Sequence, residues 1–402
     1  MPAMTDRTFE ILKDPDVRKL VADNVENDPV ELALSLKCDP EIKTAICTQV
    51  KYLQKCRKKL PEFYAAQCVI PPLSYEQASS EATASLKKYT GNLCIDLTCG
   101  LGADAYSFSK KFGKVIAVER DPLLAEIARY NFSLLGAHNI TVINDSAENF
   151  LAGYDGPKAG LIYADPARRN KKGKKVFLVS DCSPDLTELQ DKIMSISDKA
   201  LFKLSPLFDV AEAFNVFKNY AADVSIVSSA GECKEVLVEL VRETTHRIIN
   251  VIPNGDKEFT FNNEDIGLKY RTEGRVEEYG FLLEPDTGFY KGRLAGALFD
   301  RYYSETNVFI PSDTGYCFAD SIPHGFCGKG WNIDELHRYH PKTLKKILKE
   351  RKITGICVMK RNFIPSAEEI RKSLAVKEGN QQAVAFTAIK GEKYALFLSQ
   401  SE

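Results

Sequence analysis

The chain has 402 residues, enough for two or three domains that each bury a core of their own. Apolar residues make up 44% and charged residues 27%, close to the globular average, which excludes disordered and fibrous proteins. Because 54 Lys and Arg face 55 Asp and Glu, the net charge of -1 excludes a general polycation, and any anionic partner must meet a local basic patch.

The sequence lacks two features that would change the class of protein. It has no apolar run of the ~18 residues that a membrane span needs, and charges interrupt its first residues. Its 11 cysteines include no Cys-x-x-Cys pair, so we expect reduced thiols and no metal site. These features together predict a cytoplasmic protein that does not bind membranes.

Residues 1–70 are predicted to form a small helical or mixed accessory domain. Leu32 and Leu36 lie on one face at helical spacing. Pro61 and the Pro71-Pro72 pair predict a linker after it, because proline donates no backbone hydrogen bond and restricts the residue before it.

Residues 71–324 are predicted to form an α/β domain. Short apolar runs alternate with amphipathic helices, which is typical of βαβ units around a parallel sheet. Seven strands are predicted, at residues 93–97, 114–119, 140–144, 159–164, 200–204, 224–228 and 236–241. The pattern indicates a doubly wound, Rossmann-like core over 73–241, followed by a β-rich antiparallel appendage over 242–324.

Residues 325–402 are predicted to form a third, small α+β domain. Helical spacing of Leu344, Ile347 and Leu348 precedes three apolar runs that are typical of strands.

The segment CIDLTCGLGADA, residues 94–105, predicts a nucleotide-like ligand. An apolar strand ends at Asp96, and the turn that follows contains Gly100 and Gly102, which can take positive φ and let backbone amides approach a ligand. The same glycines also fit a dinucleotide binder, so they do not choose the cofactor. Asp96 and Thr98 favour a ligand that carries an ammonium group, such as the methionine part of S-adenosylmethionine.

Acids follow the next two strands as well. Glu119 can accept hydrogen bonds from two ribose hydroxyls, and Asp145 can accept one from an adenine amine. The alternative is that these acids merely cap the following helices.

A fourth acid, Asp165, begins the run DPARR at the end of the fourth predicted strand. Proline after it makes a stiff turn that aims the acid over the edge where the glycine turn lies. We therefore expect Asp165, with the backbone of Pro166 and Ala167, to orient a substrate. The alternative is that the Asp-Pro pair marks only a turn and has no role in binding.

These motifs resemble those of class I S-adenosylmethionine-dependent methyltransferases. DLTCGLG is similar to the family's first motif, Glu119 to its second, Asp145 to its third and DPAR to its fourth, over residues 73–241. The resemblance implies a seven-stranded methyltransferase domain. It also implies that the cofactor is held by Gln77, Ser79, Asp96, Thr98, Gly100, Gly102, Glu119, Arg120, Asp145, Ser146 and Asp165.

Two further resemblances imply an RNA substrate. The segment EQASSEATA, which contains Gln77 and Ser79, is similar to the segment that folds over the cofactor in trimethylguanosine synthases and related RNA methyltransferases. The order of domains is similar to that of bacterial methyltransferases with a carboxy-terminal THUMP-like domain. THUMP domains deliver RNA to modification enzymes, so rRNA or tRNA is the expected partner.

Two types of methyltransferase have a fourth motif related to DPAR, and this sequence differs from each of them. Amino-directed enzymes usually carry Pro-Pro and an aromatic residue after the acid, where this chain has Ala167 and Arg168 after Pro166. RNA 5-methyluridine enzymes share DPAR but add a cysteine after the fifth strand, where this chain has Leu204 and Ser205. A covalent ring-carbon mechanism is therefore not expected, and Cys99 is expected to be a buried hydrophobe.

Two basic segments are candidates for phosphate contact. RRNKKGKK begins with Arg168 and Arg169, and a solvated loop is the alternative. Residues 338–361 hold nine Lys or Arg against one acid. We expect RNA contacts there from Lys345, Lys346 and Arg351, with base stacking on Trp331, Tyr339 and Phe363.

The sequence thus predicts an S-adenosylmethionine-dependent methyltransferase that acts on RNA, with an exocyclic guanine amine as the first choice of acceptor. A non-catalytic RNA-binding adaptor that kept the fold is the second hypothesis. An NAD-linked oxidoreductase is the third, disfavoured because no hydride-site signature follows the glycine turn.

Overall fold

The structure, a computed structural model, describes residues 4–167, 179–242, 247–255 and 257–400. The chain divides into two compact units. Unit 1 comprises Met1–Phe208, Ala213–Ala222 and Leu237–Thr245. Unit 2 comprises Asp209–Glu212, Asp223–Val236 and His246–Glu402.

Unit 1 begins with seven helices. They are α1 Asp6–Lys13, α2 Pro15–Asp23, α3 Pro29–Ser35, α4 Pro40–Lys59, α5 Pro61–Ala65, α6 Pro72–Gln77 and α7 Glu81–Ser85. Three of them start at an Asp-Pro pair, where Asp14, Asp28 and Asp39 accept backbone hydrogen bonds as the N-cap. Proline suits the next position because the first helical amide has no partner within the helix.

The prolines predicted to mark a linker begin helices instead. Pro61 is the first residue of α5 and Pro72 the first of α6. The chain before Pro72 is held by buried side chains, since Gln49 donates to the Cys68 carbonyl at 2.7 Å and accepts from the Ile70 amide at 3.1 Å. Buried polar groups need such partners, so this segment is fixed inside unit 1. The linker prediction was wrong.

The seven predicted strands are all present. They are β1 Gly91–Asp96, β2 Phe112–Glu119, β3 Ile140–Asn144, β4 Leu161–Ala164, β5 Lys199–Leu204, β6 Ala221–Ser229 and β7 Glu232–Val241. The helices between them are α8 Ala103–Ser109, α9 Pro122–Leu134, α10 Ala147–Gly153, α11 Leu186–Ile196 and α12 Val210–Val216. With β8 Ile248–Pro253 and β9 Phe259–Asn262, these strands form a nine-stranded sheet of order β3-β2-β1-β4-β5-β7-β6-β8-β9.

The pairs β2–β3, β1–β2, β1–β4 and β4–β5 are parallel. The carboxyl ends of β1 to β4 therefore lie along one edge of the sheet, the edge where ligands bind in open α/β folds. The predicted doubly wound α/β fold is confirmed.

The segment after β7 differs from the predicted antiparallel appendage. Strand β8, Ile248–Pro253, pairs in parallel with β6, whereas β9, Phe259–Asn262, runs antiparallel to its neighbour β8. The prediction was right for β9 and wrong for β8.

Unit 2 contains a second sheet of eight strands. These are β10 Phe281–Pro285, β11 Val308–Phe309, β12 Cys317–Ala319, β13 Gly328–Arg338, β14 Gly355–Arg361, β15 Lys377–Glu378, β16 Gln382–Ile389 and β17 Glu392–Gln400. Their order is β11-β12-β10-β13-β17-β16-β14-β15. Four helices belong to this region, α13 Thr287–Gly292, α14 Ala295–Tyr302, α15 Pro341–Glu350 and α16 Ala367–Leu374.

The predicted boundary between residues 324 and 325 falls inside this second sheet, because β10 pairs antiparallel with β13 along five residues from Phe281 to Pro285. The strands of residues 281–319 therefore share a sheet with the carboxy-terminal strands. Across the described residues, no helix is long and apolar enough to cross a membrane. Nor do the described His, Cys, Asp and Glu side chains form a group of three or more that could hold a metal ion.

Candidate active site

The glycine turn after β1 has the backbone that its sequence predicts. Gly100 has φ +56° and Gly102 φ +92°, both in the left-handed region that favours glycine. A Cβ on Gly102 would also lie 2.5 Å from the ring of Phe132 on α9. Because Gly102 is the N-cap of α8, the turn leads directly into that helix.

Asp96, the last residue of β1, is fully buried. Its Oδ1 accepts from the Thr98 amide at 2.9 Å, whereas Oδ2 has no hydrogen-bond partner among the described residues. Burial, with three carboxylates nearby, raises the pKa of Asp96 to about 8. An orphaned buried oxygen of this kind is costly unless a donor from a ligand reaches it. The site therefore fits a ligand with a cationic donor.

Glu119, the last residue of β2, holds the glycine turn. Its Oε2 accepts from the Gly100 amide at 2.8 Å, and its Oε1 accepts from the Asp121 amide at 2.9 Å. Burial raises the pKa of Glu119. Each carboxylate oxygen has a second lone pair, so Glu119 can still accept from two hydroxyl groups.

Asp145 and Ser146 follow β3. Asp145 Oδ1 accepts from the Ser146 amide at 2.7 Å, and Ser146 Oγ caps α10 by accepting from the Asn149 amide at 3.1 Å. Ser146 thus has the helix-capping role that was the alternative for acids at these strand ends.

Two other predicted cofactor residues lie on the surface of unit 1. Arg120 is exposed and donates to Ser183 Oγ at 2.9 Å. Gln77 is exposed at the end of α6.

Asp165 follows β4 and lies beside the end of β1. Its amide donates to Thr98 Oγ1 at 2.7 Å, and its Oδ2 pairs with the Lys203 ammonium at 2.6 Å. Ala167 exchanges two backbone hydrogen bonds with Ser183, at 2.9 and 3.2 Å. Two kinds of hydrogen-bond acceptor at this turn take no part in these bonds. They are Asp165 Oδ1 and the carbonyl oxygens before Ala167.

Ser79, which was predicted to hold the cofactor, lies in a group of buried polar side chains next to Asp165. Sequence reasoning missed the other three members, Asp104, Lys87 and Lys203. Ser79 Oγ donates to Asp104 Oδ2 at 2.6 Å and accepts from the Lys203 ammonium at 2.8 Å. Lys87, whose side chain is 0% exposed, pairs with Asp104 Oδ1 at 2.9 Å. Burial would raise the pKa of Asp104, but Lys87 and Lys203 outweigh it and lower the pKa to about 2. A lysine inside the apolar run LFKL of β5 was the available signal for Lys203.

The predicted RNA contacts fall into three groups. Arg168 and Arg169 lie outside the described residues, as does the rest of RRNKKGKK. Lys345 and Lys346 are exposed on α15, with Lys346 3.8 Å from Glu350. Arg351 already pairs with Glu335.

The three aromatic residues predicted to stack on bases differ in exposure. Phe363 is buried, and its ring centroid lies 5.0 Å from that of Tyr339. Trp331 packs against another apolar cluster. Phe363 is therefore unsuited to base stacking, whereas Tyr339 and Trp331 are partly exposed, so stacking on these two rings stays a prediction.

Comparisons with known proteins show what the chain is similar to. The family described as THUMP domain-like matches residues 328–400. A Mycobacterium tuberculosis protein named an uncharacterized S-adenosylmethionine-dependent methyltransferase is 20% identical over 325 residues, 78% of this chain and 84% of the relative. The chain is an S-adenosylmethionine-dependent methyltransferase, and its residues 328–400 are similar to THUMP domains. The predictions of an enzyme and of its cofactor are thereby confirmed.

Two other comparisons bear on the methyltransferase. A crystal structure of a Porphyromonas gingivalis W83 protein assigned as a methyltransferase covers 100% of both chains, with a TM-score of 0.82 and 23% identity. This likeness shows that the two proteins share a fold. A Shewanella amazonensis tRNA/tmRNA (uracil-C(5))-methyltransferase is 27% identical over 150 residues, 32% of this chain and 40% of that relative.

Proposed function

We propose that the methyltransferase modifies RNA, rRNA or tRNA, at an exocyclic amine of a base, with guanine as the first choice. The observation that carries the RNA substrate is the THUMP domain-like match over residues 328–400. The tRNA substrate named for the Shewanella relative supports the same class.

The residues at the strand ends fit S-adenosylmethionine, which supplies a methyl group on a cationic sulfur when bound. The unpartnered Oδ2 of Asp96 would accept from its ammonium group, and Glu119 would accept from the ribose hydroxyls. Asp145 would accept from the adenine amine. The glycine turn would leave room for the ligand at Gly100, which carries no side chain, whereas the space beside Gly102 is filled by the Phe132 ring.

Asp165 is the residue proposed to orient the acceptor. A base amine would donate one hydrogen to Asp165 Oδ1 and another to the Pro166 carbonyl. As the nitrogen attacks the methyl carbon it becomes positive, and a fixed carboxylate stabilises that charge and accepts the proton. Ala167 would shape this turn through its two bonds to Ser183, and Arg168 and Arg169 would contact a phosphate.

The exposed lysines of α15 would bind the RNA backbone. Lys345 and Lys346 project from a helix whose Leu344 and Leu348 are buried, so their charges face solvent. Arg351 would contribute less, because it must share its charge with Glu335.

Methylation of a ring carbon is less well supported than methylation of an amine. Ring-carbon transfer in 5-methyluridine enzymes uses a cysteine after β5, where this chain has Leu204 and Ser205. Cys99 is buried, which raises the pKa of its thiol well above the ordinary value and suppresses the nucleophilic thiolate.

Mass spectrometry of nucleosides tests this proposal. RNA from cells with and without the gene is digested, and one methylated guanosine is expected to disappear with the gene and to return when the wild-type gene is restored. Identical nucleoside profiles in rRNA and tRNA would contradict an RNA substrate. Loss of 5-methyluridine instead would contradict the amine acceptor alone.

A further inference from the structure

Lys203 is a buried charged side chain within the apolar part of β5. It lies on β5 between Phe202 and Leu204, and only 7% of the residue is exposed. Burying an ammonium group is costly unless charged partners surround it, so such a residue indicates a specific electrostatic need at that point.

The need for this charge comes from four neighbouring carboxylates, three of them at strand ends and the fourth, Asp104, in the first turn of α8. Asp104, Asp165 and Glu119 all lie close enough to Asp96 to help raise its pKa, after the larger contribution of burial. Lys87 compensates Asp104 at the far side of the group. Lys203 pairs with Asp165 at the acceptor turn, and its charge also helps to lower the pKa of Asp104.

Lys203 is itself fixed in place. Ser79 Oγ accepts from its ammonium at 2.8 Å and donates to Asp104 at 2.6 Å, so the serine connects the two ion pairs. Lys59 also lies near Lys203. Burial lowers the pKa of Lys59, and the positive charge of Lys203 lowers it further.

We propose that Lys203 is a positioning residue for methyl transfer, holding the Asp165 carboxylate by Oδ2 so that Oδ1 faces the acceptor. This inference rests on the proposed function of Asp165. Thr98 accepts from the Asp165 amide at 2.7 Å while Lys203 holds the side chain at 2.6 Å, so the residue is fixed at both ends. Preorganisation of this kind matters because small misplacements of a reacting group lower the rate steeply.

The test uses the full chain, tritiated S-adenosylmethionine and total RNA from cells that lack the gene. We expect Lys203→Met to lower kcat about 100-fold, the scale of a misplaced acceptor. The KM for RNA should stay within about threefold, because Lys203 is buried away from the exposed basic residues. Lys203→Arg keeps the charge and should recover at least a tenfold part of the loss.

Two further variants separate positioning from folding. Lys199→Met removes a lysine from the exposed start of the same strand, where it pairs with Glu239, and should leave kcat unchanged. Ser79→Ala keeps the ion pair but loosens Lys203, and should lower kcat by a smaller factor of about ten. Calorimetric titration with S-adenosylhomocysteine reports whether each variant keeps its cofactor site.

The outcomes distinguish this inference from the proposed function. A Lys203→Met variant with kcat within threefold of wild type would overturn the inference alone. The same holds if Lys203→Arg and Lys203→Met are equally poor, or if the Lys203→Met variant loses S-adenosylhomocysteine binding in proportion to kcat. A wild-type protein that labels no RNA would overturn the proposed function, and the inference with it.

Discussion

The strand-end site of unit 1 and the basic surface of unit 2 use charge in opposite ways. In unit 1, Lys87 and Lys203 are buried and each is paired with one carboxylate. In unit 2, Lys345 and Lys346 are exposed on a helix. Buried pairs fix geometry because neither partner can move without leaving a charge unpaired, whereas exposed lysines attract an anion without fixing it.

The same contrast explains why the number of Lys and Arg residues in 338–361 overstates the positive charge that is available to bind RNA. Arg338 pairs with Glu392, and Arg361 pairs with Glu284 at 2.7 Å. Both acids lie on other strands, outside the counted segment. The lysines of α15 are therefore the stronger candidates for phosphate contact.

The largest effect on activity is expected from substitution of Asp165, at the buried site of unit 1. Asp165→Asn keeps an acceptor oxygen but loses the charge that stabilises the nitrogen and takes its proton, so turnover should fall roughly 100- to 10,000-fold. Affinity for S-adenosylhomocysteine should change only a few-fold. Steady-state transfer of labelled methyl to RNA, together with calorimetry, measures both quantities.

A second experiment on the same site tests whether the protein forms a covalent bond to the acceptor base. RNA that contains 5-fluorouridine should leave no covalent adduct on the wild-type protein, because no cysteine follows β5 at Leu204 and Ser205. Full activity in Asp165→Asn, or an adduct on any cysteine, would show that the acceptor site has been assigned wrongly.

A smaller effect is expected at Asp96. Asp96→Ala removes the buried oxygen that would accept from the cofactor's ammonium, and should weaken S-adenosylhomocysteine binding by about 1–3 kcal/mol, or five- to 150-fold. Asp39→Ala is the matched control, because Asp39 caps α4 and should affect stability without affecting binding. Equal affinities in the Asp96 variant and the wild type would remove Asp96 from the cofactor site.

The smallest effects are expected on the exposed surface of unit 2. Lys345→Ala and Lys346→Ala should each lower the slope of log affinity against log salt by about 0.7 on single-stranded RNA. Arg351→Ala should lower it less, because Glu335 already shares its charge. Filter binding over a salt series measures the slopes, and equal slopes for the lysine variants and the wild type would place the RNA elsewhere.

Point substitutions suit this surface better than truncation. Removing the chain after Pro323 would take β13 away from β10 and open the second sheet, so a change in binding would not report on the lysines.

The sequence was sufficient for the strands of unit 1 and for the residues at their ends. Parallel strands alternate with helices at short range, and Asp96, Gly100 and Glu119 each follow an apolar run that ends at the same edge of the sheet. Local patterns of this kind are visible in a linear sequence.

The sequence was not sufficient for pairings between distant segments. Ser79 meets Lys203 across 124 positions, and β10 meets β13 across a predicted domain boundary. Neither pairing leaves a periodic signal, because each depends on where the fold brings two elements together. The buried Lys203 leaves little signal in the sequence, because its partners Ser79 and Asp165 are both distant along the chain.

The most direct test of the account concerns the open oxygen of Asp96. Because burial raises its pKa to about 8, Asp96 is mostly protonated at pH 7 in the free protein. A ligand ammonium favours the carboxylate, so binding should release a proton, and affinity should rise with pH up to about 8, by at most about tenfold per pH unit.

Calorimetry with S-adenosylhomocysteine at pH 7, in phosphate and in Tris, measures that proton through the difference between the two buffer ionisation heats. The account predicts release of about one proton by the wild-type protein and none by Asp96→Asn. Heats that do not depend on the buffer in the wild type, or equal proton release in both proteins, would contradict it.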